Sequence, residues 1–154
     1  METDVASLVP HRAPMLAIGG VEDFDVAGKR VTAHVRISSE SPFFDGAGVP
    51  AWAAIEYMAQ VAALLVGLRD RALAGNEKPR PGLLLGTRRM VLSIDSFAVG
   101  TDYRISAACE FEDADAAAFR CEMVDVSGKT VASATLNAYR PPDMATFLKE
   151  HLSA

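Results

Sequence analysis

Glu56 is the residue whose setting most clearly predicts chemistry. It lies in the stretch from Pro50 to Leu68, PAWAAIEYMAQVAALLVGL, in which almost every other side chain is apolar. Carboxylates are rarely fully buried without a partner, because burial disfavours their charged form. A carboxyl group in this setting is typical of a general acid or base. The alternative is a structural ion pair in which Glu56 binds a buried arginine.

The stretch around Glu56 has the composition of a helix. Ala, Leu and Met favour helices, Pro50 suits a first helical turn, and the charged residues 69–71 return the chain to water. We therefore expect one long helix that is buried nearly all round and ends at Gly75. Trp52 and Gln60 then lie one turn on either side of Glu56, and Gln60 holds its carboxylate by a hydrogen bond.

The composition limits the class of protein. With 154 residues, of which half are apolar, residues 1–154 fit a single domain with a substantial core. A net charge of -5 without a basic stripe argues against nucleic acid as a partner. We expect neither a signal peptide nor a membrane span, and hence a cytoplasmic protein. Cys109 and Cys121 lack metal-site spacing, so no metal is expected.

The remaining pattern predicts strands. We expect an N-terminal hairpin whose second arm turns Val31, Ala33, Val35 and Ile37 inward. One apolar helix and a run of meandering antiparallel strands satisfy both patterns if the sheet wraps the helix, which is an α+β fold. A short helix, Met144 to His151, follows Asp143 as its cap. The predicted strands cover residues 15–25, 30–38, 83–94, 101–112, 118–126 and 129–140.

Several phrases resemble the hotdog-fold family of 3-hydroxyacyl-[acyl carrier protein] dehydratases, and the likeness covers nearly the whole chain. Residues 9–15, VPHRAPM, are similar to the leading Pro-His-Arg phrase of the family. Residues 41–46, SPFFDG, resemble its approach to the active site. Residues 55–60, IEYMAQ, resemble the helix segment with the catalytic carboxylate, and residues 98–102, AVGTD, its Pro-Gly-Asp turn without the proline. The resemblance implies a hotdog fold, with the antiparallel sheet wrapped around a long central helix.

One departure from the family concerns its general base. In the family, the Phe-Phe-x-Gly phrase runs into a His-Phe-Pro segment whose histidine removes the proton. Here residues 46–50 read GAGVP and contain no histidine. The phrases at 46–52, 85–89 and 136–141 are similar to those of a divergent branch that includes dehydratase-like proteins of aryl polyene pathways.

The resemblance implies a role for each candidate residue. Glu56 is the acid that protonates the leaving hydroxyl, and backbone N–H groups at the helix start polarise the thioester carbonyl. His11 is the candidate base, unless its ring only caps backbone groups of its own turn. Asp45 is a second candidate, although an Asp-Gly pair is also a turn signal. The expected substrate-binding residues are Phe43, Phe44, Asp45, Gly46, Gly48, Ala51, Trp52 and Gln60.

Three further expectations concern single positions. Arg88 and Arg89 are neighbours on a strand, so they should face opposite sides, and at most one can reach the pocket. His34 should point to water. Replacing Gly48 with valine should weaken thioester binding more than folding, because glycine permits close backbone approach.

The function predicted from these residues is binding of an acyl thioester on acyl carrier protein or coenzyme A, with dehydration of a 3-hydroxyacyl group. No bound cofactor is needed. The resemblance also implies a homodimer or a heterodimer with a related hotdog protein, because the family places its acyl tunnel between two subunits. Two alternatives stay open: a hotdog thioesterase, in which Glu56 or Asp45 activates water, and a non-catalytic subunit of a dehydratase heterodimer.

Overall fold

One long helix and a six-stranded antiparallel sheet form the core of this protein. The computed structural model describes residues 4–74, 83–113, 116–139 and 144–152. Along the chain the strands are β1 Ile18–Asp25, β2 Arg30–Arg36, β3 Val49–Pro50, β4 Leu83–Leu92, β5 Ser96–Phe97, β6 Asp102–Asp113, β7 Ala116–Val124 and β8 Thr130–Tyr139, and the helices are α1 Ala54–Ala74 and α2 Met144–Leu152. The strands of the large sheet lie in the order β1-β2-β6-β7-β8-β4.

The sheet buries alternate side chains against α1. The prediction that the second arm of the hairpin turns four side chains inward is confirmed, because Val31, Ala33 and Val35 are fully buried and Ile37 nearly so. Met58, Val61, Leu64 and Leu65 of the helix have no solvent exposure. Burying side chains of this size stabilises the fold by about 1.5–3 kcal/mol each. The expected α+β arrangement, a sheet wrapped around a central helix, is therefore confirmed.

The strand order corrects the expectation of a simple meander. Strands β6, β7 and β8 follow one another as hairpins, whereas β4 lies beyond β8 at the edge of the sheet. The chain from β2 to β4 therefore crosses over through α1. Because β4 pairs only with β8 within the described residues, its other edge presents unpaired backbone groups.

The start of the helix differs from the prediction. Val49–Pro50 forms a short strand, β3, which pairs with β5, Ser96–Phe97. A 3₁₀ turn, Ala51–Ala53, leads into α1 at Ala54. Pro50 thus ends a strand instead of opening the helix, because pairing with β5 overrides its preference for a first turn. The predicted helix end at Gly75 and the cap at Asp143 lie outside the described residues.

The expectation that the helix is buried nearly all round was wrong. Residues Ile55, Ala59, Ala63 and Val66, spaced by three or four positions, form a half-buried apolar stripe. By length and composition the segment Ala51–Leu73 could also cross a membrane, but more than half of it is buried inside the protein. Its apolar character is explained by its place in the core.

Candidate active site

Glu56 and Gln60 form the polar centre of α1. The side chain of Glu56 is 28% exposed, whereas Gln60 has no exposure at all. Gln60 Nε2 donates to Glu56 Oε1 at 3.0 Å, as expected for side chains one turn apart. Glu56 is therefore held at a partly open position, and within the described residues no arginine pairs with it. This arrangement argues against the buried structural ion pair.

Gln60 also binds the N-terminal segment. Its Nε2 donates to the carbonyl of Met15 at 2.8 Å, and its Oε1 accepts from the N–H of Ala17 at 2.8 Å. These contacts explain why β1 begins at Ile18 instead of residue 15. Sequence reasoning missed them, because the partners of Gln60 are backbone groups and carry no side-chain signal.

His11 lies next to Glu56 of the same chain. Its Nε2 is 3.6 Å from Glu56 Oε1, which is longer than a hydrogen bond but within reach of one after a small closure. The other ring nitrogen, Nδ1, is buried and has no hydrogen-bond partner among the described residues. The alternative in which the ring caps backbone groups is therefore not what the structure has.

The surroundings of His11 favour its neutral form. Burial lowers the pKa of His11, the carboxylate of Glu56 raises it, and the guanidinium of Arg12 lowers it. Burial is the largest of these effects. Arg12 itself folds back onto the segment, since its Nη1 donates to the carbonyls of Val9 and His11. A neutral imidazole beside a carboxyl group is a pair suited to proton transfer.

The segment before β3 places aromatic side chains near the start of the helix. Phe43 and Trp52 pack edge to face, with ring centroids 5.5 Å apart and planes at 82°. Trp52 is 56% exposed, so it is not a core residue. Phe44 is half-buried, and the hydroxyl of Tyr57 forms a hydrogen bond with Ser41. Phe43 and Trp52 thus form an apolar surface on the segment that leads to Glu56.

The side chain of Asp45 forms hydrogen bonds within the turn in which it lies. Its Oδ1 accepts from the N–H groups of Ala47 and Gly48, both at 2.9 Å, and its N–H donates to the carbonyl of Gly48. These backbone donors lower the pKa of Asp45. A carboxylate with a lowered pKa is a weaker base, so the geometry favours the turn role over water activation. Gly46, with φ of 97°, supplies the left-handed conformation that the turn requires.

Gly48 has a packing role that the sequence did not indicate. A Cβ atom at this position would lie 2.7 Å from the carbonyl oxygen of Phe97 and 2.8 Å from the Ser96 hydroxyl. Valine at Gly48 would therefore collide with β5. The substitution should therefore also cost folding stability, and a larger loss of thioester binding than of folding stays a prediction.

The backbone donors at the helix start are only partly free. The N–H of Ala51 donates to the carbonyl of Asp95 at 3.0 Å, and that of Gly48 is bound to Asp45. Neither group is thus available to a thioester carbonyl. The N–H groups of Trp52 and Ala53 are those that a helix start leaves without an intrahelical acceptor, and the helix dipole favours negative charge there.

Two expectations about basic side chains are corrected. Arg88 and Arg89 do not lie in the regular strand that the expectation assumed, because the β4–β8 register shifts between Arg88 and Val91 and Arg89 has φ of 53°. Both arginines are exposed. His34 lies on the outer face as predicted, but its Nε2 is 3.1 Å from Asp102 Oδ1 instead of only meeting water.

Comparison with known families and curated proteins gives a consistent set of matches. The family described as ApeP-like, ApeP dehydratase, matches residues 3–149. A 3-hydroxyacyl-[acyl-carrier-protein] dehydratase FabZ from Chlamydia pneumoniae is 30% identical over 91 residues, 56% of this chain. That match spans 58% of the length of the curated relative.

Solved structures show the same fold. The structure titled the dehydratase heterocomplex ApeI:P from Xenorhabdus doucetiae superimposes with a TM-score of 0.84 at 26% identity, over 98% of this chain and 99% of that one. A hypothetical thioesterase with coenzyme A from Streptococcus pneumoniae gives a TM-score of 0.59 at 12% identity, over 79% and 84% of the two chains. The second likeness shows the hotdog fold alone, because its identity is low.

Proposed function

We propose that this chain, which belongs to the ApeP-like dehydratase family, binds an acyl thioester and dehydrates its 3-hydroxyacyl group. The observation that carries the proposal is the approach of His11 Nε2 to Glu56 Oε1 at 3.6 Å. Both residues lie in phrases that resemble the dehydratases. Together they supply the acid and the base that the chemistry requires, although the usual histidine is absent.

The reaction can be written with these two side chains. His11 Nε2 accepts the proton from C2 of the substrate, while Glu56 donates a proton to the C3 hydroxyl. The C3–O bond breaks, a C2–C3 double bond forms, and the products are a 2-enoyl thioester and water. A proton transfer from His11 to Glu56 then restores both groups. The N–H groups of Trp52 and Ala53 are the proposed donors to the thioester carbonyl.

The state of His11 sets an expectation for the rate. A neutral ring that accepts at Nε2 carries its proton on Nδ1, which has no acceptor among the described residues. The buried setting keeps the ring neutral, as a base must be, but leaves this proton unpaired. We therefore expect slower turnover than in a site where a hydrogen-bond acceptor holds the second ring nitrogen of the base.

A second candidate is a subunit of a dehydratase heterodimer. It is favoured by the superposition on the structure titled as a dehydratase heterocomplex, which covers 98% of this chain. The edge strand β4 offers a surface for a related hotdog chain, because Leu84, Leu85, Val91 and Leu92 are exposed there next to unpaired backbone groups. In this arrangement the partner supplies the histidine that this chain lacks. A cytoplasmic location and the identity of the carrier stay predictions.

The test is an assay on 3-hydroxyacyl thioesters of acyl carrier protein and of coenzyme A. The chain is measured alone and mixed with a related hotdog dehydratase, and both 2-enoyl thioester and free thiol are quantified. We expect enoyl product from the chain alone and little thiol release. Enoyl product only in the mixture would favour the subunit role, and thiol release without enoyl product would favour a thioesterase.

A further inference from the structure

The N-terminal segment, residues 4–17, lies along α1 and carries His11; it is called the strap below. Its apolar side chains Val5, Leu8 and Val9 are buried in the core. The strap contacts the helix near Arg71, Gly67, Gln60 and Glu56, which are spaced by four, seven and four residues. Such spacing places all four positions on one side of the helix.

The upstream half of the strap is fixed by two contacts with α1, one at Ser7 and one at Leu8. Arg71 Nη2 donates to the hydroxyl of Ser7 at 2.9 Å and to its carbonyl at 3.2 Å. At Gly67 the strap touches the helix itself, since a Cβ atom there would lie 2.0 Å from the carbonyl oxygen of Leu8. Only glycine permits this approach, because real Cβ contacts essentially never fall below 3.0 Å.

The downstream half is fixed by Gln60 through the carbonyl of Met15 and the N–H of Ala17. His11 lies between the two fixed halves. Its ring has no strong bond of its own: Nδ1 is unpartnered among the described residues, and Nε2 is 3.6 Å from Glu56. The position of the ring is therefore determined by the backbone of the strap.

We propose that Gly67 and Arg71 are positioning residues, which seat the strap so that His11 reaches Glu56. The expected effect on catalysis rests on the proposed function, in which His11 is the base. Neither residue touches the proton-transfer pair. Gly67 sets how closely the strap approaches α1, and Arg71 fixes the strap at Ser7, four residues before His11.

Gly67→Ala tests the proposal directly. Alanine favours a helix more than glycine, so α1 itself is not weakened. Its Cβ must move the Leu8 carbonyl by about 1 Å to reach the shortest separation seen for real Cβ contacts. A misplacement of this size lowers turnover by about 10²-fold. We expect the loss in kcat, with a much smaller change in KM.

A second readout does not depend on turnover. The pKa of His11 is followed by NMR in the full chain, using the ring signals. In the parent, burial holds this pKa below the ordinary value of 6.5, against the opposing effect of Glu56 and with a smaller contribution from Arg12. Displacing the strap exposes the ring, so the pKa should rise toward 6.5 in Gly67→Ala.

Two further variants complete the design. Gly20→Ala is the matched control, because no atom lies within 4 Å of the added Cβ. It should leave kcat and the His11 titration at parental values. Arg71→Leu removes both hydrogen bonds to Ser7 and serves as the second test if Gly67→Ala does not fold. It should shift the titration in the same direction as Gly67→Ala.

The outcomes separate the two proposals. A parental His11 titration in Arg71→Leu and in Gly67→Ala, or in Arg71→Leu alone if Gly67→Ala does not fold, overturns the positioning role, and so does an equal shift in Gly20→Ala. If the parent shows no dehydration, the proposed function fails, and the titration alone decides the role of the strap. A raised pKa together with a loss in kcat confined to the strap variants supports both.

Discussion

Replacing Gln60 with leucine removes the hydrogen bonds that connect α1, Glu56 and the N-terminal segment. Leucine is similar in size but can neither donate nor accept. The change leaves the Ala17 N–H and the Met15 carbonyl without their partner and frees the carboxylate of Glu56. The prediction is a loss of stability together with a loss of turnover.

The size of the stability loss follows from the burial of these groups. An unsatisfied buried donor or acceptor costs about 1–3 kcal/mol, and a hydrogen bond to a charged group is worth about 1.5–3 kcal/mol. Met15 is 37% exposed and Glu56 28%, so water replaces part of what both lose. We therefore expect Gln60→Leu to lower the free energy of unfolding by about 2–4 kcal/mol.

Urea unfolding followed by far-UV circular dichroism measures this difference. Met58→Leu is the matched control, because Met58 is equally buried on the same helix and carries no polar hydrogen-bonding group. A volume-conserving apolar change of this kind costs below about 1.5 kcal/mol. If Gln60→Leu were no more destabilised than Met58→Leu, Gln60 would not be the link between helix and segment.

Three further outcomes follow from the structure. Burial lowers the pKa of His11 from 6.5, so the unfolded chain binds more protons just below that pH. The free energy of unfolding should thus rise with pH up to about 6.5, and this slope should be smaller in His11→Phe when urea melts are compared. Burial raises the pKa of Cys121 to about 12, so a thiol reagent at pH 8 should label it only after unfolding. Gly48→Val should lower the melting temperature, with a stability loss of about 1–3 kcal/mol, because its side chain meets the carbonyl of Phe97; an unchanged melting temperature would remove the packing role.

The fold was largely predictable because its elements have strong local patterns. The alternation in β2 determines one buried face, which was confirmed. The apolar composition of α1 indicated a core helix, but not that its stripe of Ile55, Ala59, Ala63 and Val66 is only half-buried. What the local pattern could not show is which strands pair over long distances. The short pairing of Val49 with Phe97 and the edge position of β4 depend on tertiary contacts, so the predicted helix start and the meander were wrong.

The candidate site was predictable in its residue types but not in its connections. Glu56 with Gln60 one turn away follows from helical spacing, and the structure has that bond. The nearness of His11 to Glu56, 45 positions apart in sequence, arises from the path of the N-terminal segment and has no local signal. The collision at Gly48 is likewise set by the backbone of another element.

The turnover of Glu56→Gln shows whether Glu56 transfers a proton in the reaction. Glutamine keeps the size of the side chain and can still interact with Gln60, but it cannot transfer a proton, so packing and acid–base chemistry are separated. Formation of 2-enoyl thioester from a 3-hydroxyacyl carrier substrate is measured for the parent and the variant under identical conditions, with folding checked by circular dichroism. We expect a folded variant whose rate is lower by about 10²-fold or more. An equal rate in the parent and Glu56→Gln would contradict this role of Glu56.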